Sequence, residues 1–176
     1  DPNIVRKGRI LNQHLAKSQD ATPVPFFSLI EFNLSGLCNR TCVFCPRVDP
    51  KIFPNRNEHI PVELYEKIMG DLQAASFDGT ILYSAFGEPL LYKRLETVIQ
   101  ISKRYCPNVR IEIVSDGDFV TPKKLRELFA AGLTTLSISM YDGPHQKEHF
   151  EAMRKEVGLR NDQFILRVRW LPPEEH

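Results

Sequence analysis

Five short strand-like runs lie along this chain, several of them alternating apolar with polar residues, and stretches with a helical repeat separate them. Ser28–Leu34 (SLIEFNL) has a period of two, as a half-buried strand does. Thr80–Phe86, Arg110–Val114, Thr134–Met140 and Gln163–Trp170 are further strand-like runs. Between them apolar residues return every three or four positions: Tyr65, Ile68, Met69 and Leu72; then Leu95, Val98 and Ile99; then Leu125, Leu128 and Phe129. Pro61 and Pro122 suit a first helical turn, and Thr121 can cap one. Gly132 and Gly158 can stop two helices in a left-handed conformation. The second of these helices follows Tyr141-Asp142-Gly143-Pro144.

Strands separated by helices of this length imply right-handed crossovers and a parallel sheet, an α/β fold. Alternation also sorts the strand residues by face. Ile30, Phe32 and Leu34, Leu136, Ile138 and Met140, and Leu166, Val168 and Trp170 share the apolar side. Glu31 and Asn33, Ser137 and Ser139, and Arg167 and Arg169 share the other, with Ser84 and Glu112 as similar positions. A sheet covered on both sides is apolar on both. The polar face is therefore expected to wall a cavity, with helices on the apolar face. Residues 1–27 read as a separate arm: Ile4, Ile10, Leu11 and Leu15 can line a short helix, and Thr22-Pro23-Val24-Pro25 an extended linker. The core domain is expected over 28–176.

With 176 residues the chain is long enough for one domain with a real core. A net charge of +1 gives no electrostatic reason to expect nucleic acid or an anionic membrane as a partner. No apolar run approaches the ~18–20 residues of a membrane span. Four cysteines, three of them clustered, fit metal binding in a reducing cytoplasm better than a disulfide framework.

The three are Cys38, Cys42 and Cys45, spaced C-x3-C-x2-C in the loop after the first strand. Three close thiolates can hold three irons of a cubane cluster, which leaves the fourth iron open to a small molecule. An electron-transfer ferredoxin closes every iron with a fourth cysteine, and a zinc ribbon needs paired C-x2-C knuckles. Cys106, before Pro107 at a helix end, is expected to be a small buried residue rather than a fourth ligand.

The cysteine loop resembles the signature of the radical S-adenosylmethionine (SAM) enzymes, with Phe44 as the aromatic residue beside the last cysteine. Phe86-Gly87-Glu88-Pro89-Leu90 after the second strand is similar to the family's Gly-Gly-Glu-Pro motif for the SAM amino group, with Phe86 in place of the first glycine. Ser115-Asp116-Gly117 resembles the family's Thr-Asn-Gly turn toward the ribose, with Asp for Asn. Ser137 and Ser139 match positions that present serines to SAM. Tyr141–Pro144 resembles a SPASM-type subset, without that subset's cysteine-rich extension.

The resemblance implies a partial parallel (β/α) barrel of the radical SAM type, here stopping after about five strands where the family usually has six. It implies a [4Fe-4S] cluster on Cys38, Cys42 and Cys45 and SAM held by Phe44, Gly87, Glu88, Pro89, Ser115, Asp116, Ser137, Ser139 and Arg167. Glu88 suits the ammonium, Arg167 or Arg169 the carboxylate, and Phe44 the adenine. The activity implied is reductive cleavage of SAM to methionine and a 5′-deoxyadenosyl radical, acting on a small-molecule, sugar or peptide substrate. An external donor such as a flavodoxin or ferredoxin would supply the electron. Two other readings stand beside this one: an iron–sulfur scaffold without turnover, and a zinc peptidase through His145, Glu148 and His149, which match H-x-x-E-H.

Overall fold

The computed structural model describes residues 2–18 and 27–170. Its strands are β1 (Leu29–Phe32), β2 (Thr80–Tyr83), β3 (Arg110–Ser115), β4 (Thr135–Met140) and β5 (Phe164–Val168), which form one parallel sheet in chain order. Helix α1 (Pro2–Ser18) precedes them. Each crossover carries one further helix: α2 (Val62–Ala74), α3 (Leu95–Tyr105), α4 (Pro122–Ala131) and α5 (His145–Val157). This is the parallel α/β sheet that the alternation predicts and the partial barrel that the resemblance implies. Thr121 caps α4 by accepting from Lys124 N, and Gly132 and Gly158 end α4 and α5 at φ of 114° and 74°.

The strands are shorter than the alternation suggests because their ends change partners. Past Phe32, the chain of β1 leaves β2 and takes up the returning loop: Ile60 N donates to Leu34 O at 3.0 Å, and Ser35 bridges His59.

Register sorts the two faces. Phe32, Tyr83, Ile113, Leu136 and Phe164 lie in one row across all five strands, buried in the core shared with the helices. Ser137 pairs with Val114 and Ile165, and Ser139 with Arg167, which places both serines and Arg167 on the opposite, inner face. Ile138 packs toward α5. A Cβ at Gly117 would stand 2.9 Å from its Cγ2 and 2.6 Å from the Phe150 ring, and Gly117 has φ 88°. Val168 departs from expectation: its alternation predicts the helix-covered face, yet it is 57% exposed. Among the described residues β5 is an edge strand, and no helix follows it to cover Val168.

A buried hydroxyl triad joins three elements behind the sheet. Tyr65 of α2 is hydrogen-bonded to Tyr83 of β2 and to Ser102 of α3, each at 2.6 Å, and Ser102 donates to Val98 O.

Helix α1 lies against the sheet at the N-terminal end of the strands. Arg6 donates to both oxygens of Glu112 at 2.6 and 3.0 Å, and a cavity of about 390 Å³ separates α1 from Leu29 and Thr80. Burial would raise the pKa of Glu112, but the charges of Arg6 and Arg110 hold it below its ordinary value. Ile4, Leu11 and Leu15, expected to line this helix, are largely exposed on it. The expected linker at 22–25 lies outside the described residues. Among those residues, no helix is long and apolar enough to cross a membrane.

Candidate functional site

The loops after β1 to β4 meet at the C-terminal edge of the sheet, where parallel β/α folds gather their sites. They enclose a cleft of about 120 Å³ lined by Cys38, Cys42, Cys45, Phe44, Gly87, Glu88, Ser115, Asp116, Ser139 and Tyr141, among others. Of the residues expected at the site, Pro89, Ser137 and Arg167 do not line it. Pro89 starts a buried 3-10 turn below the cleft. Ser137 is buried one step down the inner face. Arg167 neighbours Ser139, and its buried Nε has no hydrogen-bond partner. Pockets that enclose drug-sized ligands measure ~300–1,000 Å³, so this cleft embraces only part of a nucleoside-sized molecule.

Side chains from far along the sequence hold the cysteine loop. Asn55 brackets Cys38, accepting from its N–H at 2.9 Å and donating to its carbonyl at 3.0 Å. Arg47, 4% exposed, donates to Gly36 O at 2.6 Å, to Asn55 Oδ1 at 3.1 Å and to Phe86 O. Arg40 donates to Asp118 at 2.8 and 2.5 Å and to Asp142 at 2.8 and 2.6 Å. These two carboxylates raise its pKa further above an already high value.

The turn after β2 is made for close approach. A Cβ at Gly87 would stand 2.0 Å from Ser35 O, so only glycine lets this turn lie against the cysteine loop. Its N–H donates to Asn33 Oδ1 at 3.1 Å. Ala85 beside it has φ 77°, a left-handed conformation costing about 1–2 kcal/mol for a residue with a Cβ.

Glu88 is 3% exposed, and its carboxylate accepts from Leu90 N at 2.9 Å, Ser115 Oγ at 2.8 Å and Asp116 N at 3.1 Å. Burial, with the Asp116 charge adding to it, pushes its pKa up to about 7. Asp116 is 7% exposed. Its Oδ1 accepts from Asp118 N, while Oδ2 is buried with no hydrogen-bond partner, 3.8 Å from Arg40 Nε. Burial raises its pKa too. Opposite, Phe44 lies 5.5 Å from the Tyr141 ring and is 67% exposed.

This donor set fits the implied cofactors. Each cysteine of a three-cysteine cubane binds a different iron, so the thiols need to line one cleft without meeting at one point. Among the described residues, no three His, Cys, Asp or Glu side chains converge to hold a single metal ion. Burial raises the thiol pKa of Cys38 and Cys42, and the charges of Asp116 and Glu88 raise Cys38 further. Bound iron would reverse this, because a coordinating thiol is deprotonated outright. Asp116 lines the same cleft and keeps one buried carboxylate oxygen without a hydrogen bond, 3.8 Å from Arg40 Nε. Cys106 caps α3 beneath the N-terminal end of β3, 5% exposed, at the opposite end of the sheet from the cysteine loop. His145, Glu148 and His149 are exposed on α5, with no converging third ligand; a peptidase zinc, unlike a cubane, needs its ligands at one point.

Arg40, Arg47, Asn55 and Tyr141 were not among the expected site residues. Their partners lie up to 102 positions away, so neither periodicity nor motif spacing marks them. The local signals were the position of Arg40 inside the cysteine motif, of Arg47 just past it and of Tyr141 in the Tyr141–Pro144 stretch.

Comparison with known proteins agrees with this geometry. The profile of the radical SAM superfamily matches residues 32–168. The S-adenosyl-L-methionine-dependent 2-deoxy-scyllo-inosamine dehydrogenase of Niallia circulans is 33% identical over 121 residues, 69% of this chain and 48% of that one. The crystal structure of BtrN in complex with AdoMet and 2-DOIA superposes with a TM-score of 0.70 at 26% identity, over 82% of this chain and 57% of that chain. Native anSMEcpe with bound AdoMet shares the fold at a TM-score of 0.62 and 14% identity, over 78% of this chain and 43% of its own. The chain thus spans about half the length of the relatives it matches. A motif-bearing cleft at the strand ends, a five-stranded parallel arc and a profile match across most of the sequence lead to one family: this chain belongs to the radical SAM superfamily, whose members use a [4Fe-4S] cluster and SAM.

Proposed function

We propose that this chain is the core of an enzyme that holds a [4Fe-4S] cluster on Cys38, Cys42 and Cys45 and cleaves SAM reductively to act on a small hydroxyl-bearing substrate. The observation that carries it is the convergence of the three cysteines with Glu88, Ser115 and Asp116 on one cleft. When bound, the cluster and SAM supply an electron-driven carbon–sulfur cleavage that gives methionine and a 5′-deoxyadenosyl radical. The chain's own residues bind and orient. Asp116 Oδ2 offers the free acceptor for a hydroxyl or ammonium group, since Glu88 already accepts three internal hydrogen bonds. Glu88 holds Ser115 and Asp116 in place and adds negative charge beside the ammonium. Phe44 and Tyr141 offer an aromatic wall for adenine. Arg167, with an unpaired buried Nε, suits the carboxylate. The substrate class rests on likeness to the 2-deoxy-scyllo-inosamine dehydrogenase and on the polar inner face. The electron would come from an external donor such as a flavodoxin or ferredoxin.

Anaerobic purification and reconstitution test this reading. Iron and sulfide are expected at four per chain, and Cys38→Ala, Cys42→Ala and Cys45→Ala each lose them, while Cys106→Ala keeps them. With a chemical reductant, the loaded protein is expected to form 5′-deoxyadenosine from SAM. A stable cluster with no 5′-deoxyadenosine under any candidate substrate would favour the scaffold reading instead.

A further inference from the structure

The cysteine loop follows β1, whereas Asp118 and Asp142 follow β3 and β4. Neighbouring strands lie about 4.8 Å apart, so three strand steps separate β1 from β4 by roughly 14 Å along the sheet. One guanidinium nevertheless joins these loops, because the sheet curves and Arg40 runs as a chord across its open end. It makes four hydrogen bonds to two carboxylates, its side chain is only 18% exposed, and it lies 5.6 Å from the Tyr141 ring centroid. Asn39 adds a fifth link, donating to Asp118 at 2.6 Å. Asp142 is tied in turn to the start of α5 through Gln146. An isolated surface ion pair contributes little. Paired, partly buried, charge-assisted hydrogen bonds are roughly twice as strong as neutral ones and fix direction as well as distance.

We propose that Arg40 is a positioning residue that locks the cysteine loop to the loops after β3 and β4, and so sets where the three thiols stand relative to Glu88 and Asp116. The inference rests on the proposed function for its consequence, not for its geometry. Arg40 also lines the cleft, but in this role its side chain acts through the loop it holds. Lysine cannot replace it, because a point charge pairs one carboxylate where the planar fork pairs two.

The test uses the loaded chain. Arg40→Gln retains all three cysteines and is expected to keep its iron. It is expected to bind SAM roughly 10-fold more weakly, a loss of ~1.4 kcal/mol. It should also lose the change that SAM produces in the cluster's electron paramagnetic resonance spectrum. Arg40→Lys recovers only part of both. The double variant Asp118→Asn/Asp142→Asn leaves Arg40 in place and is expected to show the same loss. Adding Arg40→Gln to it costs less than Arg40→Gln alone, because the four shared hydrogen bonds are already gone and only the longer contacts of Arg40 with Asp116 and Tyr141 remain to be lost. If Arg40→Gln fails to fold, the double variant carries the test alone. SAM affinity and spectral response within about twofold of wild type would overturn the proposal, as would additive losses in the triple variant. A wild-type chain that takes up no iron would instead sink the proposed function. Backbone amide exchange across residues 38–47 in the unloaded chain needs no cofactor: faster exchange in Arg40→Gln supports the lock, and unchanged exchange refutes it.

Discussion

At the scale of single residues, Glu88 carries the clearest pH signature. Burial and the neighbouring Asp116 charge raise its pKa from 4.5 to about 7. Below the lower value the group is protonated in both folded and unfolded chains. Between the two values the unfolded chain releases the proton and the folded chain keeps it, so stability falls as pH rises. The fall is on the order of 3 kcal/mol across that window. Glu88→Gln is expected to flatten it, measured by urea unfolding of the ligand-free chain at a series of pH values from about 4 to about 8. The same variant is expected to weaken SAM binding, read by equilibrium titration, because a charge beside the ammonium is lost.

At the scale of elements, the hydroxyl triad ties α2, β2 and α3 into one unit. Tyr65, Tyr83 and Ser102 are all fully buried, so each oxygen depends on the others. Ser102→Ala removes the shared partner and is expected to cost about 1–3 kcal/mol. Thr121→Ala removes only the cap of α4, whose Lys124 N–H can turn to water, and is expected to cost about 1 kcal/mol. Urea midpoints of the two variants check the order. A cap variant more damaging than the triad variant would show that α4, rather than the α2–β2–α3 unit, limits stability.

For the whole molecule, the ion pair of α1 with the sheet ties the N-terminal helix to the barrel. Removing one partner of a buried pair strands the other, a cost of ~3–5 kcal/mol when no second charge is near. Arg110 stands 3.5 Å from the same Glu112 oxygen and softens the loss. Arg6→Ala is therefore expected to destabilise by about 1–3 kcal/mol. Because the pKa of Glu112 lies below its ordinary value, the pair's contribution is present above that ordinary value and fades as pH falls through the folded one. The deficit of Arg6→Ala relative to wild type should accordingly shrink in acid, as paired urea curves at neutral and acidic pH would show.

The order of strands and helices, their faces and the cleft's motifs were legible in the sequence because each depends on local spacing. A period of two put Ser137 and Ser139 opposite Ile138, and parallel pairing kept that sorting across the sheet. Three cysteines in eight residues mark a metal loop wherever the chain carries them. Tertiary structure alone decided what curvature and distant contact control. Val168 had the alternation of a covered residue, but among the described residues nothing packs over it and it is exposed. Glu88 had the motif of a ligand-facing carboxylate, yet three of its acceptor sites are taken up by Leu90, Ser115 and Asp116, while Asp116 keeps an oxygen without a hydrogen bond. Arg40 carries no pattern that points to Asp118 and Asp142; the curved sheet brings them to it. Spacing along the chain encodes which side of an element a residue faces; which residues meet across the open end of a barrel depends on the bend of the sheet, which no local pattern carries.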